Sequence, residues 1–299
     1  MGMLNLSNYG EILALTTAAI WAIAVILFKK SGETVGPLGL NLFKNTFALL
    51  LIPPTMLAFG QALFRPAPLN DYVLLMLSGV LGIGISDTLF FKSLNLLGAA
   101  RSAIVDCLYS PVIIVLSVFW LGERLTLAQA TGALIIVSAV FTIGREKGLV
   151  QITRRQLIAG ILLGITSMVA MGIGIVMIKP LLERSPVLWA IEIRLVGAAV
   201  SLFVILAFYP KRREVVRSIM DARGWKYTIP GAFLGTYIAL MFWIGGMKYA
   251  PASIASALNQ TSNIFIFVLA AIFLKESMTR YKVIGMVLAV IGVFLVMGG

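Results

Sequence analysis

The chain has no histidine and one cysteine, Cys107, in 299 residues. A Ser-His-Asp triad, histidine-ligated zinc or haem, and an intrachain disulfide are thereby excluded. Charge is scarce at 12% of residues, and only 12 acidic side chains stand against 24 basic ones. Apolar residues make up 60% and mean hydropathy is +1.00, whereas a soluble domain is roughly 45–50% apolar and about 25% charged. A water-soluble globule is excluded. There is no Walker A sequence for using ATP, and no carboxylate cluster spaced to hold a metal with a diphosphate. No cofactor and no metal are expected.

What the chain does contain is ten apolar segments, at 10–28, 38–59, 72–94, 99–121, 127–144, 156–178, 187–209, 227–248, 251–274 and 281–297. Charge or turn formers bound each one, as in Lys29-Lys30-Ser31-Gly32 and Arg65-Pro66-Ala67-Pro68. Backbone in lipid must satisfy its own hydrogen bonds, so segments of this length are expected to be membrane-spanning helices. Met1 to Gly10 carries no Lys or Arg, and the first segment is expected to be a mature span, not a cleaved signal. The stretch Lys211 to Lys226 alternates basic residues with Val215, Val216, Ile219 and Met220. It reads either as a short surface helix on anionic lipid or as a basic loop that enforces topology.

Sliding the chain against itself by 153 positions overlays 81–141 on 234–294 without a gap, with 14 identities in 61 positions. Glu123/Glu276 and Thr126/Thr279 are among them, and apolar bias does not explain these. Upstream the register is 149, pairing Lys30 with Lys179 and Pro37 with Pro186. The chain therefore reads as one five-helix unit used twice, over 1–147 and 148–299. An odd number of crossings inverts the second copy relative to the first. Seventeen basic residues fall on one side of this topology and five on the side of the termini, with Lys44 and Arg194 inside spans. Basic loops stay in the cytoplasm, so a multi-pass protein of the cell (inner) membrane with both termini outside is expected. That distribution also turns the net charge of +12 toward topology and away from nucleic acid.

The duplicated five-helix unit, Pro111 midway along the fourth helix, the turn Leu121-Gly122-Glu123-Arg124, Gly132 in the fifth helix and Lys30 closing the first resemble the EamA-type branch of the drug/metabolite transporter superfamily. The resemblance covers nearly the whole chain. The second copy departs from the pattern at Ile264, where Pro111 would map, and at Lys275, where Gly122 would. The resemblance implies ten helices, a central substrate cavity between the repeats, alternating access and export. It names no substrate, since members carry amino acids, sugar nucleotides, drugs and other metabolites.

A charge at mid-bilayer costs roughly 2.5–3.5 kcal/mol, so charges inside spans mark candidate sites. Ser102, Asp106 and Tyr109 recur at i, i+4 and i+7 and make one polar stripe on the fourth helix. The repeat maps Asp106 onto Asn259, which lies among Ser256, Gln260 and Asn263. Two such stripes related by inversion suit a midplane binding site; interhelical hydrogen bonding is the other reading of the same residues. Pro111 frees a carbonyl near Cys107 and is expected to kink the helix. Asp87 maps onto Leu240 and reads as a proton-coupling carboxylate, a partner of Lys44 or Arg194, or a substrate ligand. Lys44 reads as a cavity residue or as a snorkelling lysine. Glu192 and Arg194, about 200° apart on one helix, cannot both face inward, and Arg194 is expected to do so. The mid-span aromatics Trp21, Tyr109, Tyr237 and Trp243 line a cavity or pack the bundle, and Trp120, Trp189 and Trp225 read as an interfacial belt. Gly160/Gly164 and Gly231/Gly235 are expected at close helix contacts.

The leading function is secondary transport of a small polar or amphipathic, amino-acid-like metabolite, with a small-molecule substrate and the bilayer as partners. A monomer suffices for this reading. A non-transporting sensor or scaffold and an intramembrane lipid-modifying enzyme are the alternatives.

Overall fold

The computed structural model describes residues 6–146 and 152–298; Lys147 and the expected repeat boundary at 147/148 lie outside them. No strand occurs among the described residues. The long helices are α1 (Leu6–Ser31), α2 (Pro37–Ala58), α3 (Leu69–Leu97), α4 (Ala99–Leu121), α5 (Leu127–Gly144), α6 (Arg154–Val176), α7 (Val187–Phe208), α8 (Ala222–Tyr249), α9 (Ala252–Phe273) and α10 (Arg280–Met297). Among the described residues, 9 helices are long and apolar enough to cross a membrane. α2 has the length, 22 residues, but Asn41, Lys44, Asn45 and the pair Pro53-Pro54 dilute its apolar run.

Packing follows the duplication. α5 lies on α10, α2 on α7, α1 on α8 and α3 on α6. Exchanging the repeats turns α1–α8 into α6–α3 and maps the other two pairs onto themselves, which is a two-fold relation. Equivalent helices run antiparallel. Gly132 in α5 meets Gly292 and Val296 near the end of α10, while Gly285 near its start meets Ala139 and Ile143. Leu38 and Leu42 at the start of α2 likewise pack with Leu202 and Leu206 near the end of α7. The fold is therefore an all-α membrane protein of two inverted repeats. Close approach at the predicted glycines follows too: a methyl at Gly235 would lie 2.8 Å from Ala24 Cβ.

The repeated polar residues mark helix ends. Thr126 caps α5 through a reciprocal box with Gln129, and Thr279 Oγ1 caps α10. Glu276, just after α9, accepts hydrogen bonds from the Ala99 and Ala100 amides at the start of α4 (2.6 and 3.1 Å). Glu123, just after α4, accepts one from the Ala252 amide at the start of α9 (3.3 Å). Each repeat thus caps the fourth helix of the other, satisfying amides that have no partner inside their own helix. The turn that carries each glutamate is also shared: Gly122 has φ 71° and Lys275 has φ 51°, so the departure at Lys275 leaves the left-handed backbone in place.

Two expectations need revision, and a third resolves between its two readings. α4 breaks at Cys107–Leu108, one turn before Pro111 as expected, but the proline is not required for the break, because α9 breaks at the equivalent Gln260–Thr261, where Ile264 stands in its place. Trp189 is no belt residue: it is buried, edge-on to Tyr72 at 5.2 Å and under the Arg65 guanidinium at 5.6 Å, because the start of α3 and the loop before it cover that end of α7. Of the two readings of the basic stretch, the helical one holds: it contains a helix, Arg212–Met220, with no buried residue. Trp120 and Trp225 are exposed near helix ends, as a belt requires.

Candidate functional site

Two wider turns and two broken helices build the central cavity. α3 contains a π-helical turn at Val80–Ile85 and α8 one at Phe233–Ile238, at the same position under the shift of 153. A π turn frees carbonyls and swells the helix, and such turns cluster at functional sites. In α3 the freed carbonyls are used: Asn41 Nδ2 donates to the Ile83 and Gly84 carbonyls (3.0 Å each) and to Thr88 Oγ1 (2.9 Å). The breaks in α4 and α9 fall directly after Asp106 and Asn259.

The cavity, its open mouth included, holds about 790 Å³ of atom-free space. It is lined by Trp21 of α1, Lys44 of α2, Asp87 of α3, Asp106 and Tyr109 of α4, Trp243 of α8, and Asn259, Gln260 and Asn263 of α9. Most candidates scattered through both repeats thus meet in one place. Ser102, Arg194 and Tyr237 are not in the lining. Tyr237 belongs to the bundle packing: its hydroxyl shares a 2.6 Å hydrogen bond with Thr55 of α2, and its ring packs on Phe233.

Arg194 stands one layer behind the wall. It is fully buried, and its guanidinium lies 5.4 Å from the centre of the Trp243 ring. A methyl at Gly82 would come within 3.3 Å of Arg194 Nη2, so the absent side chain leaves the guanidinium against the cavity lining. The backbone there is fixed by contact of α3 with α7, since a Cβ at Gly79 would fall on the Arg194 carbonyl. None of its three side-chain nitrogens has a hydrogen-bond partner among the described residues. Asp87 and Tyr109 are its electrostatic neighbours.

Lys44 and Asp87 are handled differently. They form a buried ion pair at 2.7 Å, and Lys44 Nζ also approaches Asn45 Oδ1 (3.4 Å). Lys44 therefore points into the bundle and does not snorkel. Asp106 is buried and takes part in no hydrogen bond or ion pair among the described residues. The Tyr109 hydroxyl, Asn259 Oδ1 and Thr236 Oγ1 also have no hydrogen-bond partner within 3.5 Å among the described residues, the Tyr109 ring lying 6.5 Å from that of Trp243. Gln260 and Asn263 bond each other, and Asn263 Nδ2 donates to Cys107 Sγ at 3.3 Å. Glu192, on another side of α7 from Arg194, is half-buried.

Sequence reasoning missed Thr17, Asn45, Phe90, Met168, Met171 and Thr236 in the lining. Asn45 carried a signal as the repeat partner of Arg194. The methionines carried none, because an apolar residue in a span reads alike toward lipid, core or cavity.

The EamA-like transporter family model matches the chain twice, at residues 8–145 and 158–298. The chain belongs to the EamA-like transporter family. An uncharacterized transporter of Archaeoglobus fulgidus is 23% identical to this EamA-like protein over 288 residues, covering 96% of this chain and 97% of the relative. An uncharacterized protein of Methanocaldococcus jannaschii is 30% identical over 135 residues, which is 45% of this chain and 93% of that protein, so the relative is about one repeat long. A solved crystal structure superposes with a TM-score of 0.73 at 20% identity over 97% of this chain and 96% of the other, a likeness of fold. A transporter family and membrane-spanning helices fit a small-molecule substrate and a lipid environment.

Proposed function

We propose that this EamA-like protein is a secondary transporter that carries a small zwitterionic, amino-acid-like metabolite by alternating access, in the export direction. One observation supports this reading above the others: Asp106, on the cavity lining, and Arg194, buried just behind it, are of opposite charge, and neither has a hydrogen-bond partner among the described residues. A buried charge without a hydrogen-bonded counter-charge costs several kcal/mol, and for Arg194 the nearby Asp87, already paired with Lys44, offsets that only in part. A solute with an ammonium group at Asp106 and a carboxylate toward Arg194 offsets both costs, with the Tyr109 hydroxyl and Asn259 as neutral contacts. Arg194 reaches such a carboxylate past Gly82, after a small movement of Trp243. The inverted repeats rock about this site, their basic end facing the cytoplasm and both termini outside.

The test is counterflow in proteoliposomes with a panel of zwitterionic, anionic and cationic metabolites. The expected result is zwitterion-stimulated flux. Asp106→Asn is expected to weaken zwitterion affinity by roughly tenfold or more, the equivalent of one charge-assisted hydrogen bond. Unchanged flux and affinity in that variant, with a normal melting curve, overturn the role of Asp106.

A further inference from the structure

The surface helix Arg212–Met220 has a second face that the transport reading does not use. Its Val215 and Ile219 pack on Leu38 and Leu42 of α2 and on Leu202 of α7. Beside that contact, between the surface helix and the end of α7, lies an open groove of about 1080 Å³ of atom-free space. Its floor is apolar and open: Phe203 is 51%, Val216 44% and Met220 71% exposed. Arg212, Arg213 and Arg217 also line it.

These guanidiniums are available. Arg213 makes no hydrogen bond or ion pair among the described residues. Arg212 spends one nitrogen on the Ala207 carbonyl at 3.1 Å. The acid near Arg217, Asp221, is already held by Arg223 at 2.8 Å. Hydrogen bonds from Arg223 and its charge, with that of Arg217, hold the Asp221 carboxyl below its ordinary value.

We propose that this groove is a binding site for one anionic phospholipid, its phosphate held by Arg212, Arg213 and Arg217 and an acyl chain laid on Phe203, Val216 and Met220. An apolar slot beside α7 alone would accept any acyl chain. Three arginines at its rim select a headgroup with net negative charge, since each basic residue near such a charge contributes about 1 kcal/mol. The guanidinium fork matches phosphate oxygens in pairs. The first repeat has no such helix: between α2 and α3 it offers Arg65 alone. The site therefore belongs to this end of the second repeat.

The test exposes purified protein to an equimolar mixture of dioleoyl phosphatidylglycerol and dioleoyl phosphatidylcholine in detergent and reads retained lipid by native mass spectrometry. The expected result is retention of phosphatidylglycerol over phosphatidylcholine by roughly tenfold or more. That preference is lost in R212Q/R213Q/R217Q and reduced in R213Q, whose arginine makes no hydrogen bond or ion pair among the described residues. V216S/M220S is expected to keep the preference while binding both lipids more weakly. Glycerol 3-phosphate, which has the phosphate but no chain, is expected not to displace the lipid. Equal retention of the two lipids, an unchanged preference in both arginine variants, or displacement by glycerol 3-phosphate overturns the proposal, the last by showing a plain phosphate site.

Discussion

Lys44, Asp87, Asp106 and Arg194 are buried charges with two different fates. The first two neutralise each other at 2.7 Å, whereas neither Asp106, on the cavity lining, nor Arg194, behind it, has a hydrogen-bonding partner among the described residues. Removing one member of a buried pair strands the other, which costs roughly 3–5 kcal/mol, while replacing both with apolar residues of similar volume is often neutral. Asp87→Asn and Lys44→Met are therefore each expected to lower stability by that amount, and Lys44→Met/Asp87→Leu to restore most of it. Thermal melts in detergent check this, and additive losses in the double variant would show that the pair does not hold together as described. The same Asp87→Asn protein tests proton coupling. If Asp87 carries the coupling proton, like-for-like exchange survives and pH-driven accumulation is lost; intact accumulation removes Asp87 from coupling. Sequence could flag these residues because a charge in a span is costly wherever it points. It could not tell Lys44 toward Asp87 from Lys44 toward the headgroups, because α2 and α7 are apolar on several sides and rotation leaves no periodic trace. Trp189 misled for a related reason: nearness to a span end says nothing about which loop folds over it.

Among the elements, the irregular turns that border the cavity in one repeat recur at the matching place in the other, whereas the π turn at Ser117–Leu121 in α4 has no counterpart in α9. The π turns at Val80–Ile85 and Phe233–Ile238 and the breaks after Asp106 and Asn259 all superpose under one shift. The shift itself was legible in the sequence. The π turns and the break in α9 were not, since no breaker residue marks them, as Ile264 shows, whereas the break in α4 falls one turn before Pro111, where the proline points. The Leu-Gly-Glu motif is the clearest case. Its recurrence was visible, but its use lies between residues 177 and 129 positions apart, beyond any local pattern. The geometry ranks the two copies. Glu276 accepts from two amides and Glu123 from one, over a longer distance. Glu276→Ala is expected to cost about 1–2 kcal/mol, the usual range for losing a helix N-cap, and Glu123→Ala less. Paired melts in detergent give the order, and a reversed order would contradict the asymmetry.

For the molecule as a whole, the two repeats are also joined at the basic end by a three-residue link. Glu146, just past α5, pairs with Arg101 of α4 at 2.7 and 3.1 Å and accepts from Thr279 at the start of α10 at 2.7 Å. Burial by itself would raise the Glu146 carboxyl. The hydrogen bonds from Arg101 and Thr279, with the charges of Arg101 and Lys282, outweigh it and hold the carboxyl below its ordinary value. A carboxylate with a depressed value in the fold stabilises fully above its unfolded value, about 4.3 for glutamate. That contribution fades as pH falls through the unfolded value toward the folded one. Glu146→Gln is therefore expected to be less stable than the parent at neutral pH by roughly 3 kcal/mol, because Arg101 is left buried without its counter-charge. The gap is expected to narrow on acidification, since the parent protonates Glu146 and loses what the variant already lacks. Melting curves of both proteins from neutral pH down to about pH 3 give the comparison. A gap that stays constant over that range would mean that the link holds the repeats by shape alone, with no contribution from the charge on Glu146.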